Sequence, residues 1–132
     1  MSHVGTSVIT ARIAFLATLA GVLLLTVSPG WLLQMSGIAI TLGHDKLNHA
    51  AAFAALVAIG YFAWPGHRAK LTVLLVLTAA AIEGLQGLQI IGRNRDAWDW
   101  AAGCVGMACG LQIANWTSNF AGFLRYDKRT SL

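Results

Sequence analysis

Residues Leu71–Ile91 read LTVLLVLTAAAIEGLQGLQII, an apolar run carrying one charged residue, Glu83. About 20 helical residues, rising 1.5 Å each, cross the roughly 30 Å hydrocarbon layer of a bilayer. A carboxylate in such a run is costly unless it faces a protein interior or a wet cavity. The stretch therefore sets both the solvent of the fold, which is lipid, and the question it raises, which is what Glu83 faces.

Working outward, similar runs recur on both sides. Ile9–Val27 (ITARIAFLATLAGVLLLTV) is apolar after Arg12 and is cut off by Pro29 and Gly30. A helix opening at Asp45 continues through Trp64, and the run from Asp99 through Thr117 carries no charge after Asp99. The pattern predicts an all-α integral membrane bundle of four transmembrane helices, at about 9–27, 45–64, 70–91 and 99–117, in a single domain with a basic tail over 118–132. Composition agrees: of 132 residues, 57% are hydrophobic and only 11% charged, which excludes an ordinary water-soluble domain of this length. The first run ends in Thr26, Val27, Ser28 and Pro29 without a small-residue cleavage pattern, and is read as an uncleaved span.

Cys104 and Cys109 are the two cysteines, both inside the fourth run. A five-residue helical offset separates them by roughly 8 Å and turns them to different faces, which excludes a disulfide. They read as small packing residues.

Orientation follows from lysine and arginine. One side of a four-span chain holds Arg12, Arg68, Lys70, Arg125, Lys128 and Arg129; the other holds Lys46, Arg93 and Arg95. The basic excess places both termini in the cytoplasm. Against Asp127 the first set leaves +5, and the second set against Asp45, Glu83, Asp96 and Asp99 leaves −1, together the +4 of the whole chain. The basic balance thus reflects topology and anionic headgroups, and implies no nucleic-acid partner. Tryptophans fall at the expected boundaries, with Trp31, Trp98 and Trp100 outside and Trp64 and Trp116 inside. Between Trp31 and Gly43 an uncharged segment too short to span reads either as an interfacial piece or as a partly ordered loop.

The ionisable residues gather toward the outer side. Asp45, Lys46 and His49 open the second helix, and the four-residue step sets Asp45 and His49 on one face. Glu83 and Gln86 lie one turn apart on the third and are expected to point inward together. A lone buried Glu83 stays neutral, whereas a charged one calls for a cationic partner such as Lys46 or Arg93, and the sequence is compatible with both states. The boundary segment contains Arg93, Arg95, Asp96 and Asp99. Gly103, Gly106 and Gly110 then fall within roughly 40° of Asp99 on a helical wheel, a smooth stripe that would let another helix approach and press Asp99 into the bundle.

In this order, Asp45, Lys46 and His49, then Glu83 and Gln86, then Arg93, Asp96 and Asp99, followed by Gly106, the sequence resembles the VanZ-like membrane proteins, with DKxxH, ExxQ and RxxDxxD blocks on successive helices. The likeness covers roughly residues 45 to 110. It departs at Gly103, where the family usually has Asn. The resemblance implies a protein of the bacterial cell envelope, in the inner membrane; the namesake of the family is associated with resistance to the glycopeptide teicoplanin.

Three functional classes fit these residues. In the first, Lys46, Arg93 and Arg95 contact an anionic lipid-linked envelope or polysaccharide precursor, above a polar pocket formed by Asp45, His49, Glu83, Gln86, Asp96 and Asp99. In the second, His49 with Glu83 or Asp99 acts as a catalytic acid/base pair on such a precursor, although the matching residues include no Ser or Cys nucleophile. In the third, the polar set only specifies packing within a larger membrane complex. One histidine and scattered acids specify no ligand geometry, so neither a metal nor another cofactor is expected from spacing alone.

Overall fold

The computed structural model describes residues 2–28, 35, 45–86 and 97–130. Its helices are α1 (Ser2–Val27), α2 (Asp45–Ala63), α3 (Arg68–Gln86) and α4 (Ala97–Thr130), with a 3₁₀ turn at Pro65–His67. The Trp31–Gly43 segment, apart from Met35, lies outside the described residues, as do 87–91 at the end of the expected third span.

Pro65 ends α2, because a proline disfavours the helical conformation of the residue before it. Trp64 accordingly sits at φ −136°, ψ 71°. Its N–H still donates to the Gly60 carbonyl, and its own carbonyl accepts from His67 N–H, each at 3.0 Å. This tight connection makes α2 and α3 an antiparallel hairpin.

Three helices contain a segment long and apolar enough to cross a membrane: Thr6–Thr26 in α1, Lys46–Ala63 in α2, and Pro65–Gln86, which takes in the 3₁₀ turn and α3. The fourth expected span is not among them. Gly103, Gly106 and Gly110 contribute little hydropathy, and Gln112 and Asn115 subtract from it. Helix α4 also continues well past the expected end of its span, so that the basic tail is helical as far as Thr130.

Helix α2 is central, touching α1, α3 and α4, and packs most extensively against α4. The reason is the glycine stripe. A methyl group on Gly106 would overlap the backbone carbonyl of Ala50, and one on Gly110 would stand 2.7 Å from Val57 and 2.9 Å from the Ala54 Cα. Backbone therefore lies against backbone, as small residues permit. Around this seam the core is filled by Phe15, Phe53, Leu56, Val57, Leu75, Ala79, Ile82 and Met107.

The outer faces suit an apolar solvent. Ile9, Ile13, Leu16, Leu24, Val73, Leu77, Val105 and Ile113 are exposed. Threonines on exposed faces satisfy their hydroxyls within the helix: Thr10 donates to Thr6 O at 2.9 Å, Thr18 to Ala14 O at 2.8 Å and Thr78 to Leu74 O at 2.8 Å. In hydrocarbon there is no water to do so.

The seam yields a contrast between two glycines. Gly106→Ala forces α2 and α4 apart and is expected to destabilise the bundle by about 1–3 kcal/mol, the usual cost of overpacking. Gly84→Ala, at a position with nothing within 4 Å of a new methyl, is expected to leave stability unchanged or raised. Thermal unfolding of both variants in detergent checks the difference.

Candidate functional site

Two antiparallel reversals bring the start of α2, the end of α3 and the start of α4 to one end of the bundle. The first two turns of α2 supply Lys46 and His49. The last turn of α3 supplies Glu83 and Gln86, and the first turn of α4 supplies Asp99. Glu83 is 6% exposed, Gln86 3% and Asp99 5%. Both expectations of burial hold: Glu83 and Gln86 turn inward together, and the glycine stripe carries Asp99 into the bundle.

The Lys46 ammonium stands 3.5 Å from Asp99 Oδ1, and His49 Nε2 stands 4.0 Å from Glu83 Oε1. The sequence named Lys46 or Arg93 as the partner of Glu83; Lys46 stands against Asp99 instead, the imidazole of His49 is the neighbour found beside Glu83, and Arg93 lies outside the described residues. Lys46 forms the rim, with its side chain 56% exposed, whereas the side chain of His49 is 13% exposed. One ligand-type atom from each of His49, Glu83 and Asp99 lies within 4.8 Å of the other two. Spacing along the chain did not specify this arrangement, because the three residues come from three helices.

Phe53 closes the cluster from below. It lies one turn after His49 on the same face of α2, is fully buried, and its ring would stand 3.1 Å from a methyl group on Gly103. A side chain at 103 would press on the ring, which would have to give by a few tenths of an ångström.

Electrostatics makes the cluster demanding. Two carboxyl groups with oxygens within 4.8 Å of each other repel when both are ionised. Asp99 Oδ1 is buried and accepts no hydrogen bond among the described residues; the nearby Lys46 ammonium offers it an ion pair at longer range. The pair of acids is therefore matched to positive charge or to donated protons. Of the other sequence candidates, Arg93, Arg95 and Asp96 lie outside the described residues, and so does the side chain of Asp45.

The opposite end holds a second polar group that the sequence reading passed over. Arg12 Nε donates to the Ala63 carbonyl at 3.2 Å, and its guanidinium lies 5.5 Å from the centroid of the Trp64 ring. The Arg68 guanidinium stacks 3.5 Å over the Tyr61 ring, and the Tyr61 hydroxyl donates to Asn115 Oδ1 at 3.2 Å. Seven residues separate Tyr61 from Arg68, but the intervening 3₁₀ turn breaks the helical period that would have linked them in sequence. Among the described residues, one end of the bundle thus holds His49, Glu83 and Asp99 and the other Arg12 and Arg68.

No protein-family model, curated protein or solved structure matches this chain.

The His49–Glu83 contact gives a sign to a double-mutant cycle. His49→Ala removes a polar neighbour of a buried carboxylate and is expected to cost about 1–3 kcal/mol. Glu83→Gln, which keeps the shape and removes the charge, is expected to recover part of that loss in the His49→Ala background. Chemical unfolding of the four proteins reads the cycle; strictly additive effects would contradict the contact.

Proposed function

We propose that the chain is a VanZ-like protein of the bacterial inner membrane that crosses the bilayer four times with both termini in the cytoplasm. In this reading the acidic, histidine-containing end forms an outward-facing polar pocket that binds an anionic lipid-linked precursor of the cell envelope. The observation that carries it is the convergence of His49, Glu83 and Asp99 within 4.8 Å at one end of an otherwise apolar bundle, with the Lys46 ammonium at its rim.

Two features support the membrane arrangement. Arg12, Arg68 and Lys70 belong to the opposite end from the cluster, as the basic excess of a cytoplasmic face requires. Helix α4 presents Val105, Ile113, Trp116 and Phe120 on its exposed side, while its glycines face α2. Gln112, Asn115 and Asn119 are exposed on that side as well.

An anionic headgroup meets Lys46 first, and the reading assigns Arg93 and Arg95, which precede α4 in the sequence, to the same role. A phosphate accepts charge-assisted hydrogen bonds from such groups. Against the two buried acids it would be repelled, so the basic rim sets the affinity. A second reading has a specific observation in its favour: His49 Nε2 at 4.0 Å from Glu83 Oε1 is close to the reach of an acid/base pair.

The test is binding of polyprenyl phosphate to the purified chain in nanodiscs. Lys46→Glu and Arg93→Glu are each expected to weaken binding by about 10-fold or more, equivalent to about 1.4 kcal/mol. Arg12→Glu, at the other end, is expected to leave binding unchanged. Unaltered binding by both rim variants would overturn the reading, and conversion of the lipid phosphate in the same samples, lost in His49→Ala, would favour the enzyme.

A further inference from the structure

We infer that His49, Glu83 and Asp99 bind a divalent transition-metal cation, with Zn²⁺ as the best-matched ion. The donor set is one imidazole nitrogen and two carboxylate oxygens, one from each of three helices, all within 4.8 Å of one another. Around a tetrahedral Zn²⁺ with bonds of about 2.0–2.2 Å, ligand atoms stand about 3.4 Å apart. Small rotations of three side chains close that difference.

A second observation points the same way. The carboxylate of Asp99 is 5% exposed, and its Oδ1 accepts no hydrogen bond among the described residues. A buried carboxylate oxygen so placed calls for a stronger partner than an ammonium 3.5 Å away. The two acids carry the charge that a divalent ion neutralises, and Lys46, half exposed, can turn toward water as the ion enters.

The imidazole selects the class of ion. All-oxygen sets suit Mg²⁺ and Ca²⁺, whereas a set including imidazole suits Zn²⁺ and its first-row neighbours. Three protein ligands leave a fourth position open. Phe53 is buried one turn further along the His49 face of α2, and the open position is assigned to the Lys46 rim, where it takes a water or an oxygen of an incoming anion. The inference does not depend on a lipid ligand, since the metal is measured alone.

The experiment uses the tag-free full chain in detergent with His3, His44 and His67 replaced by alanine, so that of its four histidines only His49 remains. After removal of metal with chelator, Zn²⁺ is titrated by equilibrium dialysis with elemental analysis, and Co²⁺ by visible absorption. The expected results are one Zn²⁺ per chain, a Co²⁺ spectrum abolished by Zn²⁺, and binding weakened at least about 10-fold in each of Glu83→Gln and Asp99→Asn. The Co²⁺ spectrum needs no site variant, and circular dichroism verifies that the variants remain helical. Absence of stoichiometric Zn²⁺ from the parent, or helical variants that bind as tightly as the parent, would overturn the inference.

Discussion

The backbones of α2 and α4 touch at Gly106 and Ala50, and the rest of the structure depends on that contact. Without side chains at 106 and 110, α4 lies against α2 closely enough that the first turn of α4 is drawn over the first turn of α2. Asp99 then has nowhere to go but inward, toward Lys46 and the imidazole of His49. Helix α3 completes the arrangement because the short Pro65–His67 turn returns it alongside α2, bringing Glu83 to the same level. The site is thus a consequence of packing between small residues. In lipid, where apolar burial between helices gives little net gain, such packing is a principal source of association.

Polarity along the bundle axis follows from the same geometry. One end collects two buried acids, a histidine and a rim lysine. The other seats Arg12 and Arg68 on the rings of Trp64 and Tyr61. Stacking on an aromatic face stabilises a guanidinium while leaving its edge available to water or phosphate. Among the described residues the two ends therefore carry different chemistry: guanidinium groups stacked on aromatic rings at one, and two buried carboxyl groups beside a histidine at the other.

Much of this was legible in the chain. The apolar runs expected at 9–27, 45–64 and 70–91 coincide, among the described residues, with three helices long and apolar enough to cross a membrane. The stripe Gly103, Gly106 and Gly110 announced burial of Asp99, because its spacing is set by the helical period alone. Less legible was anything that depends on how separate helices rotate against one another. His49 standing beside Glu83 follows from the seam between α2 and α4 and from the hairpin, and neither is written in local spacing. Helix α4 was expected to span from its lack of charge, whereas the glycines that face α2 and the exposed Gln112, Asn115 and Asn119 keep it out of the candidate spans among the described residues. The stacking of Arg68 on Tyr61 was hidden by the proline turn, which breaks periodicity between them.

The central claim is that His49, Glu83 and Asp99 share one buried locus when the chain is in a bilayer. Dipolar-recoupling solid-state NMR on the lipid-reconstituted chain, with ¹⁵N in the His49 ring and ¹³C in the carboxyl groups of Glu83 and Asp99, measures it most directly. The account predicts short imidazole–carboxylate separations for both acids, in keeping with the 4.8 Å that bounds their ligand atoms. Separations beyond about 11 Å, two turns of helix, for either acid would contradict it.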